Sequence, residues 1–166
     1  MPREVERILE SIRANAGTDV YKSVTKAGGE ADIKAVLSEL ENTCGAEVVA
    51  RVMKPCGYQC IPNSFITRAK AIYAESESFE GFLSRLNETR IGGGKLHLKD
   101  GKLIGIYEQC YCRLAPMVKD LSPLYCHCSE GWYEKLFSSV LEKPVAARKL
   151  QTILDGSDEC VFEISY

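Results

Sequence analysis

The sequence predicts an α+β fold: an antiparallel sheet of about four strands packed against helices, with a helical N-terminal layer. Apolar residues recur at helical spacing through the first ninety residues, and the period then changes to the alternation typical of strands. The order that follows is strand, strand, helix, strand, strand, which favours a sheet with helices packed on one face. At 166 residues the chain is expected to form one domain, with residues 1–90 as the helical layer and residues 91–166 as a ββαββ part that binds a ligand or metal.

The helical layer is predicted to contain four to six helices. Amphipathic runs end at Gly17 and at Gly45, and a further helix is expected to stop at Pro55. Two more runs follow, "PNSFITRAKAIYAES" from Pro62 and "SFEGFLSRLNE", in which Ser78 is a suitable N-cap.

The second half of the chain is predicted to open with a β-hairpin. Leu96-His97-Leu98 and the apolar run 103–107 flank an Asp-Gly pair, which is a strong short-range hairpin signal. Ser129 is the expected N-cap of the next helix, whose buried face is predicted to comprise Trp132, Leu136, Phe137 and Val140. Two strands around the turn 155–158 are expected to close the chain.

Composition argues against several classes of partner. The net charge is −2, and neither a run of like charges nor a basic face with interleaved aromatics is present, so nucleic-acid binding is not expected. No apolar run approaches the roughly 18 residues that would suggest a membrane span. The charged N-terminus has no apolar core of a signal peptide, so a cytosolic protein is predicted. The composition is compatible with a homodimer of this chain.

Four of the eight cysteines form two Cys-x-Cys pairs, Cys110/Cys112 and Cys126/Cys128, separated by thirteen residues. In a reducing compartment such clustered thiols more often bind metal or do chemistry than form disulfides. Pro116 and Pro123 favour a turn-rich loop that would bring the pairs together. The simplest prediction is one tetrahedral zinc ion held by these four thiolates. The alternatives are an iron–sulfur cluster, or no cofactor and buried apolar cysteines. Three further cysteines are alternate ligands: Cys56, Cys60 and Cys160.

Cys128 is also the best candidate for a catalytic thiol. Its expected place at the start of a helix would favour thiolate over thiol, and thiolate is the reactive form. Only two histidines are present, His97 and His127, and both are expected on the surface.

A pocket for a small apolar or heterocyclic ligand is predicted between the helical layer and the sheet. Large aromatic side chains fall on the inward faces of their predicted elements, and ligand sites are mostly apolar. The candidate lining residues are Phe65, Tyr73, Tyr107 and Trp132.

Residues 125–164, "YCHCSEGWYEKLFSSVLEKPVAARKLQTILDGSDECVFEI", carry a resemblance to a known family. The Cys-containing turn into a helix with Gly-Trp, the Lys-Pro-Val link, the Asp-Gly turn and the Cys-x-Phe-x-Ile ending resemble the vinyl-4-reductase-type small-molecule-binding domains. The nearest branch is that of the L-2-amino-thiazoline-4-carboxylic acid hydrolase-like proteins. The resemblance implies an α+β fold around an apolar cavity. It also implies Cys128 and Cys160 as metal ligands, whereas Lys149 and Thr152 stand where the family's zinc-supported sensors have Glu and Cys.

The leading hypothesis is therefore a cytosolic small-molecule-binding or sensing domain with a cysteine-bound metal, zinc being the first choice. A hydrolase of a small cyclic amidine or thiazoline-type substrate, using a thiol or a metal site, is the alternative. A hydrolytic zinc needs an open coordination position, which four cysteine ligands would close. A structural or partner-binding module with buried cysteines is the third hypothesis.

Overall fold

A computed structural model of the protein describes residues 2–29, 32–113, 115 and 118–166. Within these ranges the α+β prediction is confirmed, with helices and a four-stranded antiparallel sheet. The helices are α1 (Arg3–Asn15), α2 (Thr18–Gly28), α3 (Ile33–Cys60), α4 (Asn63–Ala74), α5 (Phe79–Glu88) and α6 (His127–Leu141), and the strands are β1 (Leu96–Lys99), β2 (Lys102–Tyr107), β3 (Ala146–Gln151) and β4 (Cys160–Ser165). No helix among the described residues combines the length and apolar character needed to cross a bilayer.

Helix α3 differs from its prediction at two positions. Gly45 interrupts it with a left-handed φ of 78°, so the expected break is present as a kink between two helical segments. Pro55 does not end the helix, which continues to Cys60. A proline inside a helix removes one intrahelical hydrogen bond. Val52, Met53 and Cys56 are buried around it, and their packing offsets that loss.

The sheet has the strand order β1-β2-β4-β3, and every neighbouring pair is antiparallel. The predicted hairpin is confirmed. Asp100 and Gly101 have φ values of 52° and 75°, which is the pair of left-handed residues that a tight two-residue β-turn requires. At the β1 edge the Asn87 side chain binds the backbone of Leu96 twice: its Nδ2 donates to the carbonyl at 2.8 Å, and its Oδ1 accepts from the amide at 2.7 Å.

Two apolar cores meet where α3 crosses α6. One core joins α1, α2 and α3 with residues 121–125, and the other joins α4, α5 and α6 with the sheet. The crossing is close because each helix has a glycine at the contact. A Cβ added at Gly57 would overlap the carbonyl oxygen of Cys128, and one added at Gly131 would overlap that of Lys54.

Candidate functional site

A small cavity of about 40 Å³ lies at the boundary between the two cores. Its walls come from the segment after β2, the first turn of α6 and the start of β4. Half of its ten lining residues are cysteines: Cys110, Cys112, Cys126, Cys128 and Cys160. The structure thus brings together the four cysteines of the two predicted pairs and adds Cys160, one of the three alternates.

Strand pairing explains how Cys160 reaches the first pair. Cys160 opens β4 and lies opposite Tyr107, the last residue of β2. The chain leaves the sheet at that point, so Cys110 follows within three residues. Strand β2 stops at Tyr107, and Cys110 and Cys112 lie in the irregular segment beyond it.

The second pair enters from the start of α6, which begins earlier than predicted. A 3₁₀ turn at Pro123–Cys126 leads directly into the helix at His127, so Ser129 is inside the helix and is not its cap. Ser122 accepts from the amide of Leu124 at 3.3 Å instead. Lys149 Nζ donates to the carbonyl of Pro123 at 2.8 Å, which ties this turn to β3. Pro116, the other proline of the predicted loop, lies outside the described residues.

The remaining alternates, Cys56 and Cys60, approach from α3. The guanidinium of Arg7 donates to Cys60 Sγ at 3.2 Å, and Cys60 is exposed. Cys56 is buried, and its thiol lies 3.5 Å from the carbonyl oxygen of Val52. Neither lines the cavity. Cys44 packs against the helical core instead, and all eight cysteines are free thiols.

Burial sets the protonation of these thiols. It raises the pKa of Cys126 to about 12 and that of Cys128 well above its usual value, and neighbouring thiols add to both shifts. Burial is also the main cause that raises the pKa values of Cys110 and Cys160. The expected lowering of the Cys128 pKa by the helix start is therefore wrong, because burial outweighs the helix end. Without a bound cation these thiols are protonated at neutral pH.

The thiols have few polar partners. The amide of Ile153 donates to Cys160 Sγ at 3.3 Å, and the hydroxyl groups of Thr152 and Tyr125 lie near Cys126 and Cys112, respectively. In the part of the chain that the structure describes, no three Cys, His, Asp or Glu side chains already stand close enough to hold a metal ion. Metal binding at these cysteines therefore stays a prediction, and it requires the side chains to rotate towards the cavity.

Of the four residues predicted to line an aromatic pocket, three lie outside the cysteine cavity. Tyr107 lines the cysteine cavity. Phe65 and Tyr73 are each 39% exposed on the outer surface of α4. Trp132 is half-buried and packs edge-on against Tyr133. Tyr133 occupies the inward position that the sequence predicted for Trp132.

A buried carboxylate network, made by Glu130 and Glu134 with their partners, was missed by the sequence reasoning. Glu134 is 7% exposed. Its Oε1 accepts from Lys54 Nζ at 2.8 Å and from the amide of Ala147 at 3.0 Å, and its Oε2 accepts from the hydroxyl of Tyr58 at 2.9 Å. One side chain of α6 thereby holds α3 and the outer edge of β3 together.

Glu130 repeats this arrangement one helical turn earlier. Its Oε1 accepts from the amide of Lys149 at 2.8 Å, and its Oε2 lies 2.9 Å from His127 Nδ1 and 3.5 Å from Lys54 Nζ. Burial alone would raise the pKa of Glu130, but the hydrogen bonds from His127 and Lys149 outweigh it and lower the pKa. His127 is thus a network member and not the surface residue expected. The spacing of the two glutamates, four apart on a largely apolar helix face, was the available signal.

The comparison with known families gives one match. The family model described as "Family of unknown function (DUF6144)" matches residues 3–166. The chain belongs to this family. No curated protein matches the chain.

Proposed function

We propose that the protein is a cytosolic metal-binding domain that holds a soft divalent cation, zinc in the first instance, through the cysteines of the cavity. The observation that carries the proposal is the convergence of five thiols from three separate parts of the chain on one cavity. Thiolates are the preferred ligands of zinc, and four of them complete its tetrahedral shell.

The size of the cavity favours an ion over an organic ligand. A volume of about 40 Å³ holds an ion or a water, whereas sites for drug-sized ligands measure roughly 300–1,000 Å³. The predicted small-molecule sensing would therefore depend on a wider cavity than the one described.

A thiol hydrolase has less support. A nucleophilic cysteine needs a substantial thiolate fraction, and burial raises the pKa of Cys128 well above its usual value. A bound metal cation, in contrast, would itself displace the protons of the cysteine thiols.

Elemental analysis of protein purified without added metal tests the proposal. We expect zinc in stoichiometric amount, and Co²⁺ in its place should give the intense near-ultraviolet absorption of cobalt–thiolate bonds. The double variant Cys126→Ser/Cys128→Ser should lose the metal. Cys44→Ser, the matched control outside the cluster, should retain it.

Metal removal should affect the cavity wall first. A structural zinc site can contribute on the order of 10 kcal/mol of apparent binding energy at neutral pH, and much of it would stabilise residues 118–126, which lead into α6. Chelation should expose that segment to protease before the helices of the N-terminal layer. A wild-type protein that takes up neither zinc nor cobalt would contradict the proposal. A coloured protein that contains iron would indicate an iron–sulfur cluster at this site and not a zinc ion.

A further inference from the structure

A groove of about 250 Å³ lies between α5 and the outer edge of β1. The α5 side supplies Glu80, Leu83, Ser84 and Asn87, which recur at the three- and four-residue spacing of one helix face. The strand side supplies residues 96–98. The groove shares no lining residue with the cysteine cavity, and its volume is close to the lower end of the range for organic ligands, roughly 300–1,000 Å³.

The edge of β1 presents an open hydrogen-bond donor and acceptor to this groove. As the residues that flank a two-residue β-turn, Lys99 and Lys102 form a hydrogen-bonded backbone pair. Opposite pairs along an antiparallel ladder alternate between bonded and non-bonded, so Leu98, which lies opposite Leu103, directs its N–H and C=O away from β2. No other described group of the chain binds these two atoms. Leu98 is therefore open to pairing from outside.

The carboxamide of Asn87 already uses this edge in the way a ligand would. It accepts from the amide of Leu96 at 2.7 Å and donates to the carbonyl of the same residue at 2.8 Å. A carboxamide carries the same donor and acceptor as a peptide group, so Asn87 stands where a residue of a neighbouring strand would stand. These contacts also show that Leu96 faces outward. Leu98 has the same phase two residues further on, about 7 Å along the edge.

Glu80 gives the groove its charge. It is the only Asp, Glu, Lys or Arg among the lining residues, and it takes part in no ion pair with a described residue. Asn87 holds one end of α5 at Leu96, and Glu80, two turns earlier on the same face, lies about 10 Å away towards the other end of the groove. The charge of the site is therefore complementary to a cation.

Strand geometry determines which side chain of a ligand would meet Glu80. Two residues that lie directly opposite each other in a sheet place their side chains on the same face. The side chain of Leu98 packs on the apolar core that includes α5. A residue paired with Leu98 would therefore direct its own side chain to the α5 side of the sheet, where Glu80 lies.

We propose that the groove between α5 and β1 binds a short extended peptide segment of a partner protein, with a lysine or arginine opposite Leu98. The backbone of that residue exchanges two hydrogen bonds with Leu98, and its cation pairs with Glu80. In such strand addition the main-chain hydrogen bonds supply affinity and the side-chain contact supplies specificity. Asn87 limits the pairing to one residue, because it already occupies Leu96. This function is separate from metal binding and does not depend on it.

Titration of ¹⁵N-labelled protein with three blocked tripeptides, followed by NMR, tests the inference. The probes are acetyl-Val-Lys-Val-amide, the same peptide with glutamate in place of lysine, and the lysine peptide with a methyl group on the lysine backbone nitrogen. We expect the amide proton of Leu98 to shift downfield with the lysine peptide, with or without added zinc. Methylation removes one of the two hydrogen bonds and should weaken binding roughly threefold to tenfold.

The preference for lysine over glutamate tests the charge assignment. Glu80→Gln should reduce that preference roughly two- to fivefold, which is the range for an exposed ion pair, and added salt should reduce it in the wild type. Glu88→Gln is the matched control, because it makes the same change at an exposed position of α5 outside the groove and should keep the preference.

Three outcomes would overturn the inference. Equal affinity for the methylated and unmethylated lysine peptides would overturn the strand pairing. Equal preferences in Glu80→Gln and Glu88→Gln would overturn the role of Glu80. No shift at Leu98 with any of the peptides would overturn the site itself, whatever the metal content of the protein.

Discussion

The thiol cluster and the carboxylate network lie on two sides of the same stretch of α6, yet they differ in how their polar atoms are satisfied. All four carboxylate oxygens of Glu130 and Glu134 accept hydrogen bonds from groups within the chain. The cavity thiols, by contrast, have a few weak partners and raise one another's pKa values. The network is complete without a ligand, whereas a bound cation would give the cavity thiols stronger partners than the described chain supplies.

This difference separates the structural role of the carboxylates from the binding role that we propose for the thiols. Buried carboxylates are retained when hydrogen bonds and a cation compensate them, and Lys54 with the amides of β3 supplies both. Buried thiols carry a small cost as neutral groups, and a soft cation can bind them strongly. Variants at each cluster should therefore respond differently in the metal-free and metal-loaded protein.

The largest effect is expected where both clusters depend on one contact. Gly57→Ala would place a methyl group against the backbone carbonyl of Cys128, which cannot rotate aside, so α3 and α6 must separate. We expect a loss of about 3 kcal/mol or more in the free energy of unfolding, measured by urea denaturation. Metal uptake should fall with it.

Gly81→Ala in α5 is the matched control. Its added methyl group would meet only the hydroxyl of Ser78, at 3.1 Å, and the helix propensity gained offsets that contact. If Gly57→Ala unfolds at the same urea concentration as the wild type, the two helices tolerate separation. The contact between Gly57 and Cys128 would then make no measurable contribution to stability.

Glu134→Gln should break the carboxylate network alone. It leaves Lys54 without its closest anion, and the lysine side chain is one-third exposed, so we expect a loss of about 2–3 kcal/mol rather than the full cost for a buried pair. Glu75→Gln removes an ion pair of the same 2.8 Å length to Arg85 on the surface and should change stability by no more than about 0.5 kcal/mol.

Metal uptake should remain unchanged in Glu134→Gln, because the hydrogen-bond partners of this carboxylate among the described residues are Lys54, Tyr58 and Ala147 and include no cysteine. Equal losses for Glu75→Gln and Glu134→Gln would contradict the structural role assigned to the network.

The smallest effect is expected from Cys112→Ala in the metal-free protein. Cys112 is half-buried and Tyr125 is its nearest polar neighbour, so the loss should be below about 1 kcal/mol by denaturant unfolding. With zinc present the same substitution should cost several-fold more. A metal-free loss as large as that of Glu134→Gln would mean that the thiols are structural in their own right.

Local chemistry explains which features the sequence predicted. The hairpin was predictable because Asp100 and Gly101 suit a tight turn, and the turn determines the strand register. The two Cys-x-Cys pairs were predicted to meet, and they do line one cavity. Cys160 could not be assigned from spacing, because it reaches the cavity through the pairing of β4 with Tyr107.

The features that the sequence did not predict correctly depend on tertiary contacts. Helix α6 begins at His127 because the 3₁₀ turn before it is held by Lys149, which comes from a later strand. The continuation of α3 past Pro55 depends on core packing on either side of the proline. Glu130 and Glu134 are charged residues on a buried face, and only their partners on α3 and β3 make that position stable.

The hydrogen bonds at the two outer strands have a consequence for self-association. The outward amides of Ala147 and Lys149 in β3 are already bound by carboxylates, and Asn87 occupies both backbone groups of Leu96 in β1. A free strand edge is a template on which another chain can add a strand and begin to aggregate. At these positions a second copy would find acceptors and donors that are already paired. Growth of the sheet from chain to chain is therefore disfavoured at these positions of both edge strands.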